Sequence, residues 1–256
     1  MEMRYLQSRL RRAVDDYNMI SPGDRVAVGL SGGKDSMTLV AGLAGLRKYY
    51  DKPFELIALN LDPGFEGEDD FSAQAAYCES YGVPLHIKKT EIGPIIFDIR
   101  KEQNPCSLCA KMRRGALANF AIEHGCNKIA LGHHMDDAIE TLMLSLFFEG
   151  RISCFSPVTY LSNTKLTTIR PLIYLEEKDT KAFVKKNAVP VYMNPCCANG
   201  KTKRQYVKEL LRKLEEDMPG LRERMFGALQ RSEIDGWLPA SKGRKQPGTP
   251  NRPERT

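Results

Sequence analysis

A chain of 256 residues with 42% apolar side chains is long enough to bury a sizeable core and fits one large domain with appendages. It has no run of eighteen apolar residues, and its N-terminus, "MEMRYLQSRLRRAVDDYNMI", carries charge where a secretory signal would be apolar, so neither a membrane span nor export is expected and a cytoplasmic setting is. The net charge of +6 suits a polyanionic partner, and seven cysteines, an odd number, argue against a disulfide framework while leaving metal or redox chemistry open.

Residues 3–19 place Tyr5, Leu6, Leu10, Val14 and Tyr17 at helical spacing, and "SPGD" ends that helix. "RVAVGL" predicts a short strand and "DSMTLVAGLAGLRKYY" a helix. "FELIALNLD" and "DFSAQAAYCESYG" repeat the strand–helix pair, as do "PLHIKKTEI" with "CSLCAKMRRGALANFAIEHG", and "NKIALGHH" with "MDDAIETLMLSLFFEG". Such alternation implies right-handed crossovers and an α/β fold with a doubly wound parallel sheet, whose ligands bind beyond the carboxyl ends of the strands. "SGGKDS", "NLD", the cysteine pair and "GHHMDD" all fall at or near those ends. After residue 150, weaker β segments around "SCFSPVTY" and "TTIRPLIYL" precede helices near 176–187 and 202–217. The expected division is an N-terminal helix over 1–20, a nucleotide domain over 21–175, a C-terminal helical region over 176–238 and a disordered basic tail over 239–256, rich in Pro, Gly and charge.

"VAVGLSGGKDSMT" looks like a phosphate loop, yet only three residues separate Gly29 from Gly33 and Asp35 follows Lys34, so it is not a Walker sequence. Ser31, Gly32 and Gly33 between a strand and a helix let backbone N–H groups wrap an anion. Lys34 adds a point charge and Ser36 a donor. A carboxylate at Asp35 beside phosphate makes sense with a magnesium ion between them. Asp62 ends the second strand, where an acid can reach a nucleotide's ribose or base edge or simply form the turn before Pro63.

Cys106 and Cys109 form a C-x-x-C pair at the start of a helix, a spacing that serves a shared metal or cluster and equally a redox pair. Arg113 and Arg114 follow, making the surroundings electropositive; they could lower thiolate pKa values or bind RNA phosphate. No second C-x-x-C exists, so a four-cysteine zinc site is not expected. Cys78 and Cys126 read as small core residues, whereas Cys196 and Cys197 stand in a turn before a basic helix. In "LGHHMDDAIET", Asp136 and Asp137 open a helix; two carboxylates near a phosphate loop suit magnesium or the orientation of a reaction intermediate, and capping explains one of them.

"SGGKDS" resembles the pyrophosphatase loop of the N-type ATP pyrophosphatases, the PP-loop superfamily. Taken in order, "SGGKDS", "PCSLCAKMRRG", "LGHHMDDAIET" and "RPLIY" resemble the tRNA 2-thiocytidine synthetase (TtcA) family over residues 20–230. That resemblance implies an ATP-dependent tRNA sulfurtransferase acting on cytidine 32, through an adenylated base and sulfur carried on a [4Fe-4S] cluster. It implies cluster ligands Cys106, Cys109 and a third cysteine; "PCCANG" departs from the family's "PCxxCG", which favours Cys196 and keeps Cys197 as its rival. Gly132 and His133 are implied to border ATP, with Asp136 and Arg113 joining Lys34 and Asp35 in catalysis. Arg114, Lys201, Lys203 and Arg204 are candidates for RNA phosphate. A cysteine desulfurase or sulfur carrier would supply the sulfur, and a homodimer stays open. The alternatives are a relative that thiolates another tRNA base or a small molecule, and a non-catalytic nucleotide or redox sensor.

Overall fold

Val26, Ala27 and Val28 are buried on both faces, which is why "RVAVG" reads as a continuous apolar run rather than an alternating one. This strand, β1 (Arg25–Gly29), lies inside a six-stranded sheet with β2 (Glu55–Asp62), β3 (Leu85–Lys89), β4 (Lys128–Ala130), β5 (Val158–Leu161) and β6 (Leu166–Ile169). The spatial order is β3-β2-β1-β4-β6-β5. The structure, a computed structural model, describes residues 1–64, 70–96, 105–192, 203–232, 234 and 236–239, with residues 105–107 described by backbone alone. The basic tail from residue 240 lies outside them.

Neighbours from β3 to β6 pair in parallel, as the alternation of strands and helices requires. β5 is the exception to the all-parallel expectation and pairs antiparallel with β6. Only residues 162–165 connect them, too few for a crossover, and Lys165 takes a left-handed φ of 55° in that turn.

The helices follow in chain order: α1 (Met3–Asp16), α2 (Lys34–Arg47), α3 (Ser72–Ser80), a single turn α4 (Ile92–Pro94), α5 (Pro105–Glu123), α6 (Met135–Glu149), α7 (Glu177–Lys186), α8 (Lys203–Asp217) and α9 (Leu221–Arg231). α1 buries Leu6, Leu10, Ala13 and Val14. It crosses α2 so closely that a Cβ on Gly42 would stand 2.6 Å from Leu10 Cδ1. The helix α9 was not foreseen; its Phe226 and Leu229 enter the same core. There Phe226 meets fully buried Trp237 edge-on at 5.6 Å, and the Tyr17 hydroxyl donates to the Trp237 carbonyl at 3.4 Å. The chain runs outward from β1 to β2 and β3, then returns to β4 on the other side. This switch opens a crevice beyond the carboxyl ends of β1 and β4.

Candidate nucleotide site at the switch between β1 and β4

The loop leaving β1 is pinned at both ends. Leu30 N–H donates to the Leu59 carbonyl at 2.8 Å, and the Asn60 amide donates to the Leu30 carbonyl at 2.8 Å. Gly32 has φ +75°, which only glycine adopts without strain, and its carbonyl accepts from Tyr192 N–H at 2.9 Å. Gly33 is the N-cap of α2, and no side chain caps that helix. Its first-turn N–H groups and positive dipole end are therefore open to an anion. Ser36 Oγ donates to the Gly33 carbonyl at 2.9 Å and lies 3.2 Å from Ser31 Oγ, which braces the loop from within.

The loop leaving β4 presses on the start of α2: a Cβ on Gly132 would stand 3.0 Å from Asp35 C and 3.1 Å from Ser36 N. The next turn opens α6, where Asp137 Oδ2 accepts from His134 N–H at 3.0 Å and closes the helix end. His134 is buried, with Nε2 3.8 Å from Asp35 Oδ1 and Nδ1 3.8 Å from Asp136 Oδ2. It is this imidazole, not His133, that bridges the two acidic segments. His133 packs on Phe155 with ring centroids 5.0 Å apart, and its Nδ1 is buried without a hydrogen-bond partner among the described residues. Burial, reinforced by the Arg170 guanidinium, pushes its pKa down to about 4, so the ring is neutral at physiological pH.

Lys34 Nζ lies 2.7 Å from Asp35 Oδ2 and 3.4 Å from Glu177 Oε1. Burial opposes its charge, but these carboxylates outweigh it and raise the pKa. Asp35 Oδ1 accepts from the Thr180 hydroxyl at 2.6 Å. Asp136 is only 4% exposed; Oδ2 accepts from Glu177 N–H at 2.7 Å and Oδ1 pairs with Arg222 Nη1. Burial raises the pKa of Glu177, yet the ammonium groups of Lys208, Lys181 and Lys34 win and draw it down to about 2. Beside Asp136 and Glu177 opens a polar cleft of about 330 Å³, also lined by Lys181, Glu215, Arg222 and Glu223.

The structure thus gathers Ser31, Gly32, Gly33, Lys34, Asp35, Ser36, Gly132 and Asp136 at one crevice. Asp62 ends β2 and shapes the turn after it, its Oδ1 accepting from Gly64 N–H at 2.8 Å. Glu177, Thr180, Arg222 and His134 were missed. "LEEKDT" signals a helix start, and Glu176 N–H does donate to Asp179 Oδ2 at 3.1 Å, but that signal says nothing about what the helix touches.

Cys106 and Cys109 sit three residues apart at the start of α5, hence on one side of it and near its positive end. Cys109 is buried in an apolar cluster with Ile92 and Ile96. Arg113 and Arg114 are exposed further along the same helix. Cys196, Cys197 and Lys201 lie outside the described residues. Among the described residues no group of three or more His, Cys, Asp or Glu side chains is placed to hold a metal ion. Cys78 and Cys154 have thiols that burial pushes up to about 11 and about 12, and that of Cys126 rises too, so none is a thiolate at neutral pH. Lys203 stacks its ammonium on Phe148 at 4.7 Å. Arg204 is exposed and pairs with Glu140 Oε2 at 3.1 Å and Asp137 Oδ1 at 3.6 Å.

Comparison with known proteins is consistent over nearly the whole chain. The PP-loop domain family matches residues 3–214. The tRNA-cytidine(32) 2-sulfurtransferase of Syntrophotalea carbinolica is 41% identical over 231 residues, 88% of each chain. The protein of the same name from Marinomonas sp. is 41% identical over 239 residues, 90% of this chain and 84% of the other. Among solved structures, the U34-tRNA thiolase NcsA from Methanococcus maripaludis with its [4Fe-4S] cluster superposes with a TM-score of 0.72. It is 26% identical, with 87% of this chain and 75% of the other covered.

Proposed function

The chain belongs to the PP-loop family, among the tRNA-cytidine(32) 2-sulfurtransferases, and from that premise we propose that it is an ATP-dependent tRNA sulfurtransferase converting cytidine 32 to 2-thiocytidine. The observation that carries this reading is the convergence of the uncapped α2 N-terminus, Lys34, Asp35 and Asp136 at the switch between β1 and β4. The N–H groups at Gly33 and beyond, with Lys34, suit the β- and γ-phosphates of ATP. Attack of the cytidine C2 oxygen on the α-phosphorus forms a C–O–P bond and releases pyrophosphate, which those groups would stabilise as it departs. A sulfide then displaces AMP at C2, and the broken bond is C2–O. Asp35 and Asp136 are the carboxylates of the crevice that would hold a magnesium ion, which would neutralise the phosphates.

The donor set suits an iron–sulfur cluster: two thiols three residues apart at a helix start, one of them seated among apolar side chains. Cys106, Cys109 and Cys196, or its neighbour Cys197, would hold it, and it would supply a site for the sulfide. Exposed Arg113 and Arg114 add positive charge along the same helix and suit RNA phosphate, as do Lys201 and Lys203. The reading also carries a cytoplasmic location and a cysteine desulfurase or sulfur carrier as donor.

Anaerobically purified protein should contain near four irons and four sulfides per chain, lost in Cys196→Ala or in Cys197→Ala but not in both. Incubated with ATP, tRNA and a sulfide source, it should yield 2-thiocytidine on nucleoside analysis. Zinc without sulfide would defeat the cluster, and a thiouridine product would redirect the substrate to the reaction of the U34-tRNA thiolase.

A further inference from the structure

Glu177 and Thr180 have no part in the reading above, yet the first turn of α7 touches all three charged groups of the site. Glu177 N–H donates to Asp136 Oδ2 at 2.7 Å, the Thr180 hydroxyl donates to Asp35 Oδ1 at 2.6 Å, and the Glu177 carboxylate lies 3.4 Å from Lys34 Nζ. These contacts join residues 41 to 145 positions apart in sequence. Thr180 is fully buried, and the hydroxyl is the group on its side chain that Asp35 can use.

We propose that Glu177 and Thr180 are positioning residues of the nucleotide site, Thr180 fixing the Asp35 carboxylate and Glu177 serving as the resting partner that Lys34 leaves when a polyphosphate arrives. The inference rests on the ATP reading of the loop. Before nucleotide binds, the Lys34 ammonium sits between two carboxylates, Asp35 and Glu177. Transfer of Lys34 to a phosphate would strand Glu177 as a half-buried unpaired charge if it had no other partner. It has two: Lys208 at 2.7 Å and Lys181 at 3.1 Å. Asp35 likewise keeps the Thr180 hydroxyl. Lys34 can therefore exchange a carboxylate for a phosphate while Glu177 keeps two ammonium partners and Asp35 a hydrogen bond. Glu177 lowers nucleotide affinity, by competing for Lys34 and by repelling phosphate, and in return holds Lys34 and Asp136 in register for the reaction.

The test uses the cluster-loaded full chain and separates binding from turnover. MgATP affinity is measured by calorimetry, and kcat and KM for thiolation are measured in the wild type, Glu177→Gln, Thr180→Val and Thr180→Ser. Glu177→Gln should bind MgATP several-fold tighter, up to about tenfold, because a like charge near the phosphates is gone, while kcat falls. Thr180→Val, nearly isosteric, should lose on the order of tenfold in kcat, and Thr180→Ser should recover most of it, since it restores the hydroxyl alone. If Glu177→Gln binds MgATP no tighter than the wild type, or if the serine variant is as impaired as the valine variant at equal thermal stability, the inference is overturned while the ATP reading stands. A wild-type protein that binds no MgATP would overturn both.

Discussion

Two adjacent glycines in the phosphate loop should respond very unequally to the same added methyl group. Gly32 has φ +75°, and a Cβ there would stand 2.7 Å from Tyr192 Cβ, an atom fixed to the backbone and unable to swing aside. An L-residue in that conformation costs about 1–2 kcal/mol, and relieving the overlap by shifting the loop or the backbone at Tyr192 costs a further 1–3 kcal/mol or so. Gly33 has φ −72°, and its added Cβ would meet only Ser31 Oγ at 3.4 Å, ordinary contact. The loss of unfolded-chain entropy is the same for both Gly→Ala changes and cancels in the comparison. Gly32→Ala should therefore cost roughly 2–5 kcal/mol, and Gly33→Ala under about 1 kcal/mol, that remainder coming from the poorer N-cap. Urea unfolding of both variants, followed by fluorescence of the single tryptophan, reads the difference directly. Equal stability of the two variants would refute the assignment of a left-handed, sterically closed position to Gly32 and an open one to Gly33.

The pH dependence of stability should report His133. Its folded pKa of about 4 lies below the ordinary 6.5, so the unfolded chain takes up the proton first. The contribution is absent above pH 6.5, grows as pH falls, and saturates below 4; at pH 5 it costs about 2 kcal/mol. His133→Gln should lose that share of the acid sensitivity between pH 7.5 and 5, and an unchanged pH profile would show that the ring is not held neutral. Arg222→Leu should cost about 3 kcal/mol or more, because it leaves the Asp136 carboxylate buried with one backbone N–H as its close donor. Adding Asp136→Asn should recover much of that loss in a double-mutant cycle; no recovery would mean that the cost lies elsewhere than in the stranded charge.

The sequence alone determined the parts of this protein that depend on local pattern. Apolar runs flanked by turn residues marked β1 to β4, and their alternation with helices fixed a parallel sheet and the end at which ligands bind. The glycine loop and the acidic start of α6 were legible for the same reason, since each needs a residue type at a set distance from a strand end. Tertiary structure decided what those signals leave open. Antiparallel β5 follows from a four-residue connection whose strands were too weak in pattern to orient. His134 rather than His133 faces Asp35 because α6 begins there and turns the two neighbouring rings apart. Glu177, Thr180 and Arg222 sit on helices whose charged residues look like solvated faces, and nothing within a few positions of them encodes a partner 41 to 145 residues away. The cost of burying Asp136 and half-burying Lys34 is what requires those partners, and that cost exists only once the chain has folded and excluded water from the crevice.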